Sequence, residues 1–359
     1  MNEYPFELRK ISLNGKSRQQ LVTFLESFHL NFDDDVQEAI GIFISAQNSK
    51  TESSQQFGEN DLIACGGCSG HVIKCIAIRE EFQNTGLLSK IISYFYSRMK
   101  KSGIQNILIY TKPEQSEKFI NLGFNAIVKT ENVALLESES DGISRYVEKI
   151  RERLPAEINE FGCIVMNANP FTNGHQYLVD TASRQCRHLL IFPVKEDRSV
   201  FPYDVRLQLI KENIRPYENI SLLDGSDYII SAASFPTYFL KENSDISRIQ
   251  AELDLTLFGS RIAAPLRITQ RFVGTEPYDL MTAGYNAQMK KILPMYGVQP
   301  IIIPRLEIEG KAVSASQIRK MLYENDFSSI EKFVPPATYH FLISDEAIPI
   351  IQKIKQKML

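Results

Sequence analysis

Apolar and polar positions change their period several times along the chain, and the changes mark out elements. From residue 159 onward, short apolar runs alternate with stretches in which apolar residues recur every three or four positions. The runs at 163–166, 189–194, 220–223, 271–273 and 300–303 predict strands. The segments from 174 and over 204–213, 244–261 and 279–293 predict helices. Such alternation implies an α/β fold, a Rossmann-like parallel sheet with helical crossovers that binds ligands at the carboxyl ends of its strands. Before it, Glu137-Ser-Glu-Ser-Asp-Gly142 is a polar, turn-rich break. Ile143, Tyr146, Val147, Ile150 and Leu154 then share one helical face until Pro155 stops them. The N-terminal part reads as α+β, with a strand pair at 66–78, a helix over 87–101 and a strand at 106–110. The chain therefore divides into a domain over 1–140, a connector helix within 141–158, and a domain over 159–359 that ends in helices.

One segment of the second domain carries chemistry. Ile164-Val-Met-Asn-Ala-Asn-Pro-Phe-Thr-Asn-Gly-His175 runs from an apolar strand through a Pro/Gly turn into a helix that opens near Gly174. Thr172 and His175 place a hydroxyl and an imidazole at that helix start, where unpaired N–H groups and the helix dipole attract phosphate. This is no Walker loop, because no Gly-Lys-Ser/Thr follows. Far downstream, Val313-Ser-Ala-Ser-Gln-Ile-Arg-Lys320 re-enters a helix after a strand. Ser314 or Ser316 suits the N-cap, with Arg319 about one turn in. Two hydroxyls, free N–H groups and an arginine make a second phosphate clamp. The plainer alternative is a turn histidine, a capping serine and a solvated arginine.

Bulk properties set bounds. The 359 residues suffice for two cores, and 43% apolar content is ordinary for globular proteins. A net charge of −3 argues against a dedicated nucleic-acid binder. No apolar run approaches a membrane span, and Met1-Asn-Glu-Tyr-Pro-Phe6 lacks the layout of a signal peptide. Five cysteines without regular pairing suit a reducing compartment, so a cytoplasmic protein is expected. Cys65-Gly-Gly-Cys68 has no second pair at zinc spacing, and it lies between two strand-like stretches. It reads as a glycine-rich hairpin or bulge.

The two phosphate motifs together resemble the nucleotidyltransferase superfamily of pantetheine-phosphate and nicotinamide-nucleotide adenylyltransferases and class I aminoacyl-tRNA synthetases. Within it, Phe201-Pro-Tyr-Asp-Val-Arg206, Ala251-Glu-Leu-Asp254, Arg271-Phe-Val-Gly-Thr-Glu-Pro277 and Tyr285-Asn286 are similar, in order, to blocks of the citrate lyase ligase family. In the first domain, Gln83-x-x-Gly86 before a helix and Phe119-x-x-Leu122-Gly-Phe124 resemble the GCN5-related acetyltransferase fold. There, turn N–H groups hold the acyl-CoA diphosphate. Leu88 stands where that loop carries a small residue, which puts independent acetyltransferase activity in doubt.

The resemblance implies roles. His175 and Thr172 would contact the α- and β-phosphates of ATP, and Ser314, Ser316 and Arg319 the β- and γ-phosphates. Asn169, Pro170, Phe171 and Gly174 would shape the turn, and Gly274 with Glu276 would lie at the adenosine. Lys195, Arg198 and Arg206 are candidate cations for phosphate or acetate, with a helix-surface role as the alternative for Arg206. Tyr285, Asn286 and Phe171 are candidates for lining the acetate pocket. Magnesium would arrive with ATP, since no carboxylate cluster suggests a separate metal site. Gln83, Asn84, Thr85, Gly86 and Leu87 would receive the CoA-like arm of a protein substrate, unless the first domain is a scaffold. The implied reaction acetylates the thiol of the prosthetic group on the citrate lyase acyl carrier (gamma) subunit through acetyl-adenylate, without nucleic acid or membrane. The phosphate motifs alone also fit an adenylyltransferase for a phosphorylated small molecule. The first domain alone fits a CoA-dependent N-acetyltransferase.

Overall fold

The computed structural model describes residues 6–44, 61–195, 199–230, 235–240, 245–275 and 280–357, with backbone alone over 280–283. The chain forms two compact units, residues 1–142 with 236–249, and residues 143–235 with 250–359.

The first unit contains β1 (Phe6–Ile11), α1 (Gly15–Glu26), β2 (Glu38–Ile44), β3 (Leu62–Ser69), β4 (Val72–Ile78), α2 (Leu87–Lys101), β5 (Leu108–Thr111), α3 (Ser116–Ile120), β6 (Asn125–Lys129) and β7 (Ala134–Glu137). Its seven-stranded sheet has the order β1-β2-β3-β4-β5-β7-β6. Neighbours are antiparallel except β4 and β5, which run parallel and pair only at Val72–Leu108 and Ile73–Ile109. Leu87, Ile91, Ile92, Phe95 and Met99 form the buried face of α2, as the apolar period over 87–101 predicts. The Cys-Gly-Gly-Cys run lies inside β3, where the register to β4 shifts between Cys65 and Gly67. The bulge reading is therefore the one the backbone adopts. A Cβ on Gly66 would lie 2.5 Å from Ile91 Cγ2, so the glycine lets α2 sit down on the sheet.

Residues 236–240 require a correction, because the sequence division placed them with the second domain. Asp33 accepts hydrogen bonds from the Thr237 hydroxyl (2.9 Å) and N–H (3.3 Å). Asn31 N–H donates to the Tyr238 carbonyl at 2.7 Å, and the Tyr238 hydroxyl donates to the Tyr110 carbonyl at 3.1 Å. These long-range bonds hold the segment in the first unit, and no local pattern encodes them.

The second unit begins with α4 (Gly142–Arg151), whose first residue closes the first unit. It continues through β8 (Phe161–Met166), α5 (Asn173–Gln185), β9 (Leu189–Pro193), α6 (Tyr203–Ile214), β10 (Ile220–Leu222), α7 (Ile246–Leu257, its residues to Ile249 counted with the first unit), α8 (Ala264–Leu266), β11 (Ile268–Gly274), α9 (Leu280–Ile292) and β12 (Gln299–Ile303). A small hairpin, β13 (Glu307–Ile308) with β14 (Lys311–Ala312), precedes α10 (Ala315–Glu324), α11 (Phe327–Ile330), α12 (Pro336–Leu342) and α13 (Ile348–Lys357). The five-stranded sheet has the order β10-β9-β8-β11-β12 and is parallel throughout. The chain moves outward from β8 through β9 to β10, then returns to β11 on the other side. The order therefore reverses between β8 and β11, and the crevice at their carboxyl ends is where such sheets bind ligands. Five consecutive buried residues in β9 fit a strand covered on both faces. Among the described residues, no helix is long and apolar enough to cross a membrane.

Candidate active site

β8 delivers the first motif to that crevice. Beyond Met166 the backbone turns through Ala168, which is in the left-handed region (φ 49°), and a cis Asn169–Pro170 bond. The Asn169 side-chain oxygen accepts from Phe201 N–H at 3.1 Å, and Asn167 Nδ2 donates to Ser199 Oγ at 3.1 Å. Phe171 is fully buried, its ring centroid 5.4 Å from that of His175.

Thr172 is the N-cap of α5, and His175 completes a capping box. The Thr172 hydroxyl accepts from His175 N–H at 3.4 Å, and His175 Nδ1 accepts from Thr172 N–H at 3.0 Å. Thr172 Oγ1 also sits 2.8 Å from Nδ1. A backbone N–H can only donate, so Nδ1 carries no proton and the neutral ring holds its hydrogen on Nε2. Burial, with the charge of Arg305 adding to it, pushes the His175 pKa down to about 4. At pH 7 His175 is therefore a neutral Nε2–H donor. The sequence reading expected Thr172 to contact phosphate. With 1% exposure, it caps α5 and fixes the histidine ring.

The second motif meets the first. Ser314 caps α10 by accepting from Gln317 N–H at 3.1 Å. Arg319 donates through Nη2 to Ser316 Oγ at 2.9 Å and through Nη1 to the Asn169 carbonyl at 2.5 Å. One arginine thus ties the turn after β8 to the start of α10. A Cβ on Gly174 would lie 3.1 Å from the Val313 carbonyl, so glycine is what lets the two helix starts approach so closely. The N-terminal ends of α5 and α10 thus lie side by side, and N–H groups at helix starts favour anions.

Other predicted residues are placed differently. Arg206 is fully buried and donates to three backbone carbonyls, Phe201 at 3.1 Å and Asn167 and Val194 at 2.9 Å. Its guanidinium braces the carboxyl ends of β8 and β9, which corrects its reading as a ligand cation or a surface side chain. Lys195, just past β9, is 3.7 Å from Asp227. Gly274 ends β11 with no atom of the described residues within 4 Å of where a Cβ would be, and its carbonyl accepts from Asn286 Nδ2 at 3.2 Å. Arg198 and Glu276 lie outside the described residues. The Tyr285 hydroxyl, a candidate for the acetate pocket, accepts from Arg271 Nη2 at 2.9 Å and donates to buried Asp254. It thereby links two buried charges. Arg305, two residues past β12, escaped the sequence reading because only its place at a strand's carboxyl end marks it. Among the described residues, no three His, Cys, Asp or Glu side chains gather as a metal-binding group.

In the first unit, Gly86 (φ 81°) precedes α2 without any side-chain cap, and Gln83, Asn84 and Thr85 are exposed beside it. Leu87 turns its side chain into the core, so only its backbone is left for a ligand. Gln83, Leu88, Thr111, Lys112, Tyr238 and Phe239 are among the walls of a cavity of about 260 Å³ near the parting of β4 and β5.

Residues 161–342 match the family described as the citrate lyase ligase C-terminal domain. The chain is 38% identical over 335 residues to the citrate (pro-3S)-lyase ligase of Escherichia coli (strain K12), covering 91% of each chain. It is 36% identical over 334 residues to that of Klebsiella pneumoniae, covering 90% of this chain and 97% of that one. Among solved structures, a putative N-acetyltransferase from Lactobacillus plantarum superposes with a TM-score of 0.29 at 9% identity, covering 37% of this chain and 96% of that one. Matched along about nine-tenths of its length by these ligases, and carrying their C-terminal domain, the chain belongs to the citrate lyase ligase family.

Proposed function

We propose that this ligase uses ATP to transfer the acetyl group of acetate to the thiol of the CoA-like (phosphoribosyl-dephospho-CoA) prosthetic group on the citrate lyase acyl carrier subunit, activating citrate lyase. The observation that carries the reading is the meeting of α5 and α10 at the switch point, with His175 held as a neutral donor in the first turn of α5.

Acetate is ionised at pH 7 and needs no base. One of its oxygens attacks the α-phosphorus of ATP, the bond to the β-phosphate oxygen breaks, and pyrophosphate leaves with that electron pair. The acetyl-adenylate then meets the thiolate. The new C–S bond forms as AMP departs with the bridging oxygen, the thiol having already given its proton to solvent. Catalysis rests on positioning and on charge stabilisation. His175 Nε2–H donates to the α-phosphate, where charge builds. The N–H groups of α10, the Ser314 and Ser316 hydroxyls and Arg319 take the departing phosphates, with Lys195 at the rim. Gly274 leaves room for the ribose. Magnesium enters as the counter-ion of ATP, part of the substrate. The loop Gln83–Gly86 and the free N–H groups of α2 receive the diphosphate of the CoA-like arm.

Incubating the protein with ATP, acetate and hydroxylamine tests this. Acetohydroxamate and AMP are expected. In parallel incubations, a dinucleotide formed from ATP and a phosphorylated acceptor without acetohydroxamate would mark an adenylyltransferase, and ATP-independent transfer from added acetyl-CoA to an amine would mark an acetyltransferase. Either result would refute the reading.

A further inference from the structure

Apart from Arg319 at the start of α10 and Lys195 beside Asp227, the groups placed at this junction offer a phosphate neutral donors. Arg206 is buried among carbonyls, Lys195 faces Asp227, and Arg319 directs Nη1 and Nη2 to Asn169 and Ser316. His175 is neutral. A triphosphate carries several negative charges, and neutral donors orient it without balancing them.

Arg305 lies where that balance is needed. The ends of β11 and β12 are joined there: Thr275 N–H donates to the Ile303 carbonyl at 2.9 Å, and Arg305 N–H donates to Thr275 Oγ1 at 3.1 Å. One residue on, the Leu306 carbonyl accepts from Val313 N–H at 3.0 Å. Val313 is the residue that Gly174 approaches and the one before the α10 cap. The backbone of Arg305 is therefore fixed between the open end of β11 and the junction of both helix starts, with its side chain only partly buried.

We propose that Arg305 is a further ATP-contacting residue whose guanidinium binds the triphosphate beside His175. This rests on reading the junction as an ATP site. A planar, permanently charged fork suits phosphate oxygens better than an ammonium does. Its charge has a second effect on this side of the site. Among the described residues, Arg305 is the charged group that acts on the His175 ring, adding to burial in keeping it neutral. A neutral ring keeps Nδ1 available as the acceptor for Thr172 N–H, and so keeps Nε2–H aimed.

The test uses the full-length protein and its Arg305→Ala and Arg305→Lys variants. MgATP binding is measured by calorimetry without acetate, and the His175 ring is titrated by NMR, with its signal assigned by His175→Gln. Arg305→Ala is expected to weaken MgATP binding about 10- to 100-fold, the size of a lost charge-assisted hydrogen bond, and to raise the pH at which His175 protonates. Arg305→Lys should keep the low protonation point and recover only part of the affinity. MgATP affinity within twofold of wild type in the alanine variant, or an unchanged His175 titration there, overturns the proposal. Wild-type protein that binds MgATP but forms no acetohydroxamate would refute the acetylation reaction and leave this test decisive.

Discussion

Two helices of this protein begin where an anion is welcome, and they differ in almost everything else. α2 starts at Gly86 with no side-chain cap, beside exposed Gln83, Asn84 and Thr85. α5 starts in a capping box whose threonine is buried and whose histidine is fixed at Nδ1, with the start of α10 packed against Gly174. Both offer N–H groups and a favourable dipole. Only α5 adds a donor of defined tautomer and a second helix that closes on the same point. A bare helix start can hold a diphosphate in place. Reaction at phosphorus needs the preorganised donor.

The largest effect expected from breaking the better-built site is structural. Arg206→Ala leaves three carbonyls at the strand ends without their donor, and should cost the second unit at least about 1–3 kcal/mol, the penalty for one orphaned buried acceptor. Urea unfolding of the variant checks this, and a loss under about 1 kcal/mol would contradict the bracing role. Next comes His175→Ala, which removes one transition-state donor. Acetate-dependent ATP–pyrophosphate exchange should fall by about 100- to 1,000-fold, or ~2.7–4 kcal/mol, while the unit stays folded. Near-wild-type exchange would remove His175 from the mechanism.

The acid response separates the two helix starts more gently. His175 protonates near pH 4 when folded, against a reference value of 6.5. Below the reference value the unfolded ring takes up a proton that the folded ring refuses. The stabilisation is thus fully present above pH 6.5 and is lost as pH falls toward 4, by up to about 3 kcal/mol. Denaturation curves across that range should show the slope, and His175→Gln should flatten it. An identical slope in that variant would assign the acid response elsewhere. The smallest effect belongs to α2. Gly86→Glu puts a carboxylate at its start and should raise KM for the carrier-protein substrate about tenfold, or 1.4 kcal/mol, with pyrophosphate exchange unchanged. Unchanged kinetics toward the carrier protein would leave the first unit as a scaffold.

Features encoded locally were legible in the sequence. The span of α2 follows from its apolar period, and the α5 and α10 starts follow from hydroxyl residues ahead of that period. Features set by distant partners were not. Arg206 reads in sequence as a ligand cation or a surface side chain because its acceptors, Asn167 and Val194, come from the ends of two other elements. Residues 236–240 joined the first unit through Asn31, Asp33 and Tyr110, some 130 to 200 positions away. Thr172 was recognised as part of the site, but its work on the imidazole shows only in three dimensions. Arg305 has no motif around it. Its meaning comes from the strand order that brings β12 beside β11.

Acetate labelled with oxygen-18 tests the central claim most directly. Attack of the carboxylate on the α-phosphorus predicts that one labelled oxygen moves from acetate into AMP in each turnover with the thiol form of the carrier protein. Label in inorganic phosphate with release of ADP would mean attack at the γ-phosphorus. That result would contradict an α-phosphate site at His175.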